Sequence, residues 1–175
     1  MTPTAQYPFL ASLLSPFEKR HRRTLALVIA AIAATGQARS FAIATTLAQW
    51  LGTRLDSAIN RFYRLLRNDR VDYVAFITNW ARLLCRDPER PLLIAVDWTE
   101  WHHELRMLVA SVVVDKRGIP LFAQAFNRLI RRRSQNAREN TFLRLLADGL
   151  RRAGLTAILL CDRGFRRASW LLLLQ

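Results

Sequence analysis

The sequence predicts an α/β protein whose N-terminal part is helical and whose C-terminal part mixes strands and helices. Up to about residue 85, apolar residues recur at the three-to-four spacing of helices, and glycines stand where the helices should stop. Beyond Pro91 the pattern changes to short apolar and β-branched runs separated by turn signals. The charged stretch Arg86–Arg90, which contains Pro88, therefore marks the expected boundary between domains 1–88 and 89–175.

Four helices are predicted in the first domain. They are expected over Glu18–Thr35, over Ser40–Leu51, from about Leu55 onward and from Val71 to about Cys85. Gly36 and Gly52 supply the stop signals of the first two, and Ser40 is expected as an N-cap. In the third helix, Ile59, Phe62, Leu65 and Leu66 form the apolar stripe.

The second and third of these helices, joined by a short turn at Gly52, resemble a helix-turn-helix motif. A polar, basic face is predicted on the second helix of the pair and just before it, and its members are Arg54, Asn60, Arg61, Arg64 and Arg67. Two interpretations stay open at this point. The face binds DNA, or the region is an ordinary helical bundle with a solvated basic surface.

The second domain is predicted to follow the order β-β-β-α-β, with a further helix beginning near Arg166. The strands are expected over Leu92–Val96, which is apolar enough to be buried on both faces, over Leu105–Val114, Ile119–Phe126 and Thr156–Cys161, with a hairpin turn at Asp115–Gly118. Asn136 and Glu139 have the spacing of a capping box and open the helix that Gly154 ends. A parallel return through this helix places the last strand beside the first.

The chain of 175 residues is strongly basic, with 27 Lys and Arg against 13 Asp and Glu and a formal net charge of +14. Such a charge attracts nucleic acid phosphates, including through the cluster Arg131, Arg132 and Arg133, although anionic membranes and acidic proteins are attracted as well. Cys85 and Cys161 are too far apart in sequence for a metal-type pair, which suits a reduced compartment. The longest apolar run, Leu25–Ala34, is too short for a bilayer, so a cytoplasmic protein without membrane contact is expected.

Two acidic residues directly follow apolar strands: Asp97 follows Val96 and Asp162 follows Cys161. If these strands are neighbours, the two carboxylates meet at one edge of the sheet and suit Mg²⁺ or Mn²⁺, which take carboxylate and water oxygens. The alternative for Asp97 taken alone is a simple strand-end or capping role. Glu139 is explained better as a capping partner, and Ser134 has no neighbouring base that would activate it.

Four segments in this order resemble the DDE class of insertion-sequence transposases, whose catalytic core is ribonuclease H-like. These segments are Ala95–Thr99, Gly118–Leu121, Ser134–Asn136 and Cys161–Phe165. The resemblance runs from about Arg90 to the end and extends more loosely to the helices between Ser40 and Asn68.

The resemblance implies that Asp97 and Asp162 are the first and second catalytic, metal-binding acids, using Mg²⁺ or Mn²⁺. It implies that Arg163, Gly164 and Phe165 shape the site around a DNA end. It also implies double-stranded DNA at transposon ends as the partner of the N-terminal helices, a nucleoid-associated location and a homodimer as an open possibility for the full-length form.

The family's third acid, a Glu in a Tyr…Arg…Glu…Lys helix, has no counterpart in this sequence. We therefore expect an incomplete ribonuclease H-like core, truncated at its C-terminus, with very weak or no strand transfer. Two other functions remain open. One is a non-catalytic DNA-binding protein that occupies transposon ends and inhibits the full enzyme, and the other is a stand-alone nuclease with a different third acid, such as Glu100.

Overall fold

The computed structural model describes residues 9–68, 70–102, 105–127 and 135–162. The chain divides into two compact units, 1–72 and 73–175. The first unit contains α1 (Phe9–Leu13), α2 (Lys19–Thr35), α3 (Ser40–Leu51) and α4 (Leu55–Leu66). The second contains α5 (Tyr73–Leu84), β1 (Leu92–His102), β2 (Leu105–Val114), β3 (Arg117–Asn127), α6 (Gln135–Ala153) and β4 (Ala157–Cys161).

Helices α2, α3 and α4 enclose the core of the first unit, in which Leu27, Ala31, Leu47 and Phe62 are buried. Gly36 and Gly52 end α2 and α3 with φ angles of 65° and 59°, in the left-handed conformation that glycine adopts most readily. Both predicted stops are therefore confirmed.

Two details of the first unit differ from the sequence prediction. Ser40 is the first residue of α3, and the N-cap position belongs to Arg39, which makes no side-chain capping bond. Leu66, predicted on the apolar stripe of α4, has 62% of its surface exposed at the end of the helix. No single described helix is long and apolar enough to cross a bilayer, whereas α2 and α3 together pass that test of length and composition but are bent by 108°.

The sheet of the second unit has the strand order β3-β2-β1-β4. The three strands β1, β2 and β3 form antiparallel pairs, whereas β4 lies parallel to β1. The predicted return of the last strand beside the first is therefore confirmed, with α6 as the connecting helix. The protein thus has an α/β fold with a helical N-terminal region and a four-stranded mixed sheet.

The two described helices of the second unit, α5 and α6, pack on one face of the sheet, which we call the covered face. Ile77 and Ala81 of α5 and Phe142 of α6 share a buried core with Ile94 and Leu108. Because α5 contributes to this core, the division between the compact units falls at Asp72 and Tyr73, before α5, and not at residue 88 as the sequence suggested.

The opposite face of the sheet, which we call the open face, is exposed at several apolar side chains. On β1, Leu92, Ile94 and Val96 are buried, whereas Leu93 between them is 36% exposed. Ile158 and Leu160 on β4 are also exposed. The expectation that Leu92–Val96 is buried on both faces is therefore wrong, because the described helices of this unit pack on one side only.

The hairpin turn between β2 and β3 is formed by Asp115 and Lys116, whose φ angles are 48° and 64°. Two successive residues with positive φ match the twist of the flanking strands in a tight hairpin. Gly118, predicted at the close of the turn, instead lies in β3. A Cβ on Gly118 would come within 3.3 Å of the Ser111 Cβ, so the close approach of β2 explains this glycine.

Candidate functional site

The pairing of β1 with β4 brings the two predicted acids to adjacent positions. The last parallel pair is Val96 with Cys161, and the next residue along the chain is Asp97 after Val96 and Asp162 after Cys161. Neighbouring strands lie about 4.8 Å apart, so the two backbones are close at this point. Asp97 and Asp162 are both exposed.

Strand alternation places the Asp97 carboxylate on the open face. Side chains at successive strand positions point to opposite faces, and Val96 is buried on the covered face. Asp97 therefore points to the open face. Asp162 directly follows Cys161, the last residue of β4, so the two acids lie at the same end of the β1–β4 pairing.

The position of Asp97 along β1 differs from the prediction. It was expected to end its strand, but β1 continues to His102, and Asp97 pairs with Val109 of β2. Asp97 lies instead one position past the last described pair of β1 with β4, and at this position β1 still pairs with β2.

Two exposed carboxylates at adjacent backbone positions fit a divalent cation such as Mg²⁺ or Mn²⁺, which takes one or two carboxylates and keeps water in its other positions. No group of three His, Cys, Asp or Glu side chains that could hold a metal occurs among the described residues. Within the described part of the chain, the pair therefore has no third ligand of these types.

The alternative third acid, Glu100, does not join the pair. It lies directly opposite Arg106 of β2, and its Oε1 accepts hydrogen bonds from Arg106 Nη2 at 2.7 Å and from Nε at 3.2 Å. Glu100 is three positions after Asp97, so strand alternation directs the two side chains to opposite faces.

Sequence reasoning missed the environment directly behind Asp97. The Trp98 backbone N–H donates to Asp97 Oδ1 at 2.7 Å, and the Trp98 indole Nε1 donates to Glu139 Oε1 at 2.8 Å. Glu139 is only 1% exposed and also accepts a bond from Gln135 Nε2 at 2.8 Å. The expected pairing of Glu139 with Asn136 in a capping box is thus replaced by these bonds, and Asn136 lies inside α6.

One signal could have revealed this role of Glu139. It precedes Phe142, Leu143 and Leu146 at helical spacing, which places it on the same face of α6 as the apolar stripe. A carboxylate on such a face is buried and needs hydrogen-bond donors nearby.

Cys161 ends β4 immediately before Asp162. Burial raises the pKa of its thiol above the ordinary value, because desolvation disfavours the thiolate. It therefore adds no negative charge to the carboxylate pair around neutral pH.

The first unit carries the second predicted surface. Helix α4 buries Ala58, Phe62 and Leu65 and turns its opposite side to solvent. Each predicted DNA-contacting residue of this unit is exposed, and none of them forms an ion pair with another described residue: Arg54, Asn60, Arg61, Arg64 and Arg67. The turn Gly52–Arg54 joins α3 to α4, as a helix-turn-helix requires.

The other predicted DNA-contacting residues, Arg131, Arg132, Arg133 and Arg163, lie outside the described residues. Comparison of the chain with protein-family models, curated proteins and solved structures gave no match.

Proposed function

We propose that this chain is part of a DDE-type transposase with a ribonuclease H-like core, acting on double-stranded DNA at transposon ends. The observation that carries the proposal is the adjacency of Asp97 and Asp162, which directly follow the last parallel pair of β1 and β4. The four-stranded mixed sheet is compatible with such a core.

In this proposal Asp97 and Asp162 hold Mg²⁺ or Mn²⁺. When bound, the cation would supply positive charge to the phosphate oxygens and favour ionisation of an attacking hydroxyl or water. Asp97 would hold it on the open face, where a DNA strand is not obstructed by α5 or α6, with Asp162 as the second ligand. The described residues supply two acids where the family uses three, so we propose very weak or no strand transfer by this chain alone.

The basic face of α4 binds the duplex. Exposed Arg61 and Arg64, free of ion pairs with described residues, would contact phosphates or guanine edges, and Asn60, directly before Arg61, has the donor and acceptor for an adenine edge. A net charge of +14 adds sequence-independent attraction to DNA. A homodimer remains part of the proposal for the full-length form.

The second candidate function is a non-catalytic DNA-binding protein that occupies transposon ends. The exposed side chains of α4 favour it independently of the acids. The third candidate, a nuclease using Glu100, loses support because Glu100 is bonded to Arg106 on the other face of β1.

The test compares the intact chain with Asp97→Asn, Asp162→Asn and Asp148→Asn, where Asp148 is a control acid exposed on α6. Mn²⁺ binding is measured by calorimetry, duplex binding by fluorescence anisotropy and nicking with supercoiled plasmid. We expect the intact chain to bind Mn²⁺. Asp97→Asn and Asp162→Asn should each lower the Mn²⁺ affinity at least about tenfold, whereas Asp148→Asn should leave it unchanged. If neither Asp97→Asn nor Asp162→Asn changes Mn²⁺ affinity, the proposed metal site is wrong. If the chain binds duplex DNA but does not bind Mn²⁺, the non-catalytic alternative is supported.

A further inference from the structure

A buried carboxylate lies directly behind the strand that carries Asp97. Glu139 is on α6, on the covered side of the sheet, and 1% of its surface is exposed. Its Oε1 accepts one hydrogen bond from the Trp98 indole and one from the Gln135 amide, both at 2.8 Å. Burying a carboxylate is costly unless donors satisfy it, so these bonds are needed for the helix to pack in this way.

Trp98 is held from a second side by an aromatic contact. Its ring lies 5.6 Å from the ring of Phe126 on β3, with the planes tilted by 51°. The Arg138 guanidinium lies over the Phe126 ring, 5.1 Å from its centroid. The indole therefore has a defined position, fixed by α6 through Glu139 and by β3 through Phe126.

The position of Trp98 determines the environment of Asp97. Trp98 is the next residue in β1, and its backbone N–H donates to Asp97 Oδ1 at 2.7 Å. Strand alternation directs the indole to the covered face and the Asp97 carboxylate to the open face. The Trp98 indole, held on the covered face, thus fixes the position of the Trp98 backbone N–H. This N–H in turn holds the Asp97 carboxylate on the open face.

We infer that Glu139 is a positioning residue, which acts through Trp98 to hold the Asp97 carboxylate in one orientation on the open face. This inference rests on the proposed function, in which the fixed orientation lets Asp97 act as a ligand of a divalent cation. Groups behind a metal ligand commonly set its orientation, and their loss lowers metal affinity about 10- to 100-fold. Glu139 differs from a usual outer-shell partner because it acts through a neighbouring residue across the sheet.

The chain contains a matched control for this contact. Trp80 on α5 also donates its indole N–H at 2.8 Å, to the Pro120 carbonyl on β3, within the same unit. Trp98→Phe and Trp80→Phe therefore each remove one indole hydrogen bond of the same length, but only the first touches the residue beside Asp97. Urea unfolding shows how much each substitution lowers stability in general.

Two measurements on the intact chain separate positioning from stability. The Hα–Hβ couplings of Asp97, measured by NMR, report whether its χ1 angle occupies one rotamer or averages over several. Calorimetry with Mn²⁺ reports metal affinity. In Trp98→Phe we expect the single Asp97 rotamer to be lost and Mn²⁺ affinity to fall about tenfold, whereas Trp80→Phe should retain both.

The role of Glu139 itself is tested by Glu139→Gln and Glu139→Leu. The Gln variant keeps an oxygen that accepts from the indole, so it should retain the Asp97 rotamer, whereas the Leu variant should lose it. If Glu139→Leu does not fold, the inference is tested by the other two variants. It is upheld if the single Asp97 rotamer is lost in Trp98→Phe and kept in Glu139→Gln, and is overturned otherwise.

The outcomes distinguish this inference from the proposed function. An Asp97 rotamer that is averaged in the unmodified chain, or unchanged in Trp98→Phe, overturns the inference whatever happens with Mn²⁺. An unchanged Mn²⁺ affinity in Trp98→Phe also overturns it if Asp97→Asn abolishes binding. If the rotamer depends on Trp98 but the unmodified chain binds no Mn²⁺ through Asp97, the positioning is upheld and the proposed metal site fails.

Discussion

Glu100 on β1 and Arg106 on β2 lie directly opposite each other, with 2.7 Å between Glu100 Oε1 and Arg106 Nη2. The contact is a cross-strand ion pair in which two guanidinium nitrogens bond to one carboxylate oxygen. Since the Glu100 side chain is directed to the other face of β1 from Asp97, this acid stabilises the hairpin and does not contribute to the carboxylate pair.

Glu100→Gln should therefore leave Mn²⁺ affinity unchanged within about twofold. The Glu100 side chain is 65% exposed, so solvent screens the pair and its loss should cost at most about 1 kcal/mol of unfolding free energy. Calorimetry and urea unfolding check the two values, with Asp97→Asn as the positive control for metal loss. A Glu100→Gln variant that no longer binds Mn²⁺ would restore Glu100 as a ligand.

Arg61→Ala and Arg64→Ala should each weaken binding to duplex DNA and make it less sensitive to salt. Each phosphate contact removed lowers the slope of log affinity against log salt by about 0.9. Arg144→Ala is the control, because Arg144 is exposed on α6 in the other unit. Fluorescence anisotropy over a salt series measures the slopes, and an equal effect of all three substitutions would show that attraction is general and not located on α4.

Gly149→Ala should destabilise the second unit by about 1–3 kcal/mol, because an added methyl in a packed core forces its neighbours to move. A Cβ at Gly149 would overlap Ile77 Cγ2, and the Gly149 carbonyl accepts a bond from the Thr78 hydroxyl at 3.0 Å. Urea unfolding measures the change. In an Ile77→Ala background the same substitution should cost less, and strict additivity of the two costs would contradict the predicted overlap.

Cys161 should be alkylated with a midpoint at higher pH than a free cysteine, because burial raises the pKa of its thiol and the thiolate is the reactive form. The difference should disappear in urea, where the thiol regains ordinary solvation. Iodoacetamide modification in a Cys85→Ser background measures Cys161 alone. Equal midpoints in the folded and unfolded chain would contradict the effect of burial.

The sequence predicted those elements that depend on neighbours along the chain. The stops at Gly36 and Gly52 follow from the left-handed backbone that glycine permits, and both are observed. The Asp97–Asp162 adjacency was predicted because a parallel return through one helix leaves few arrangements, and the observed register agrees.

The missed features depend on partners that are distant in sequence. Trp98 and Glu139 are 41 positions apart, so their hydrogen bond is not visible in any local pattern. The capping-box spacing around Asn136 suggested a local role for Glu139, whereas its indole partner lies in the sheet. Likewise, β1 extends beyond Val96 because β2 continues to pair with it, which the apolar run alone does not show. Local sequence patterns predict where glycines end helices. Where a strand ends, and which hydrogen bonds a buried polar group forms, depends on residues that are distant in sequence.

Asp97 and Trp98 face opposite sides of the sheet although they are consecutive residues. The protein should therefore tolerate insertions and deletions near this point much less than substitutions, because one added residue within β1 before Asp97 would exchange the two faces. The indole would then lie in water and the carboxylate against α6. An insertion of two residues would restore the alternation but move Asp97 past Asp162. Changes of loop length around this strand should therefore be tolerated, while the spacing from Leu92 to Trp98 should stay fixed.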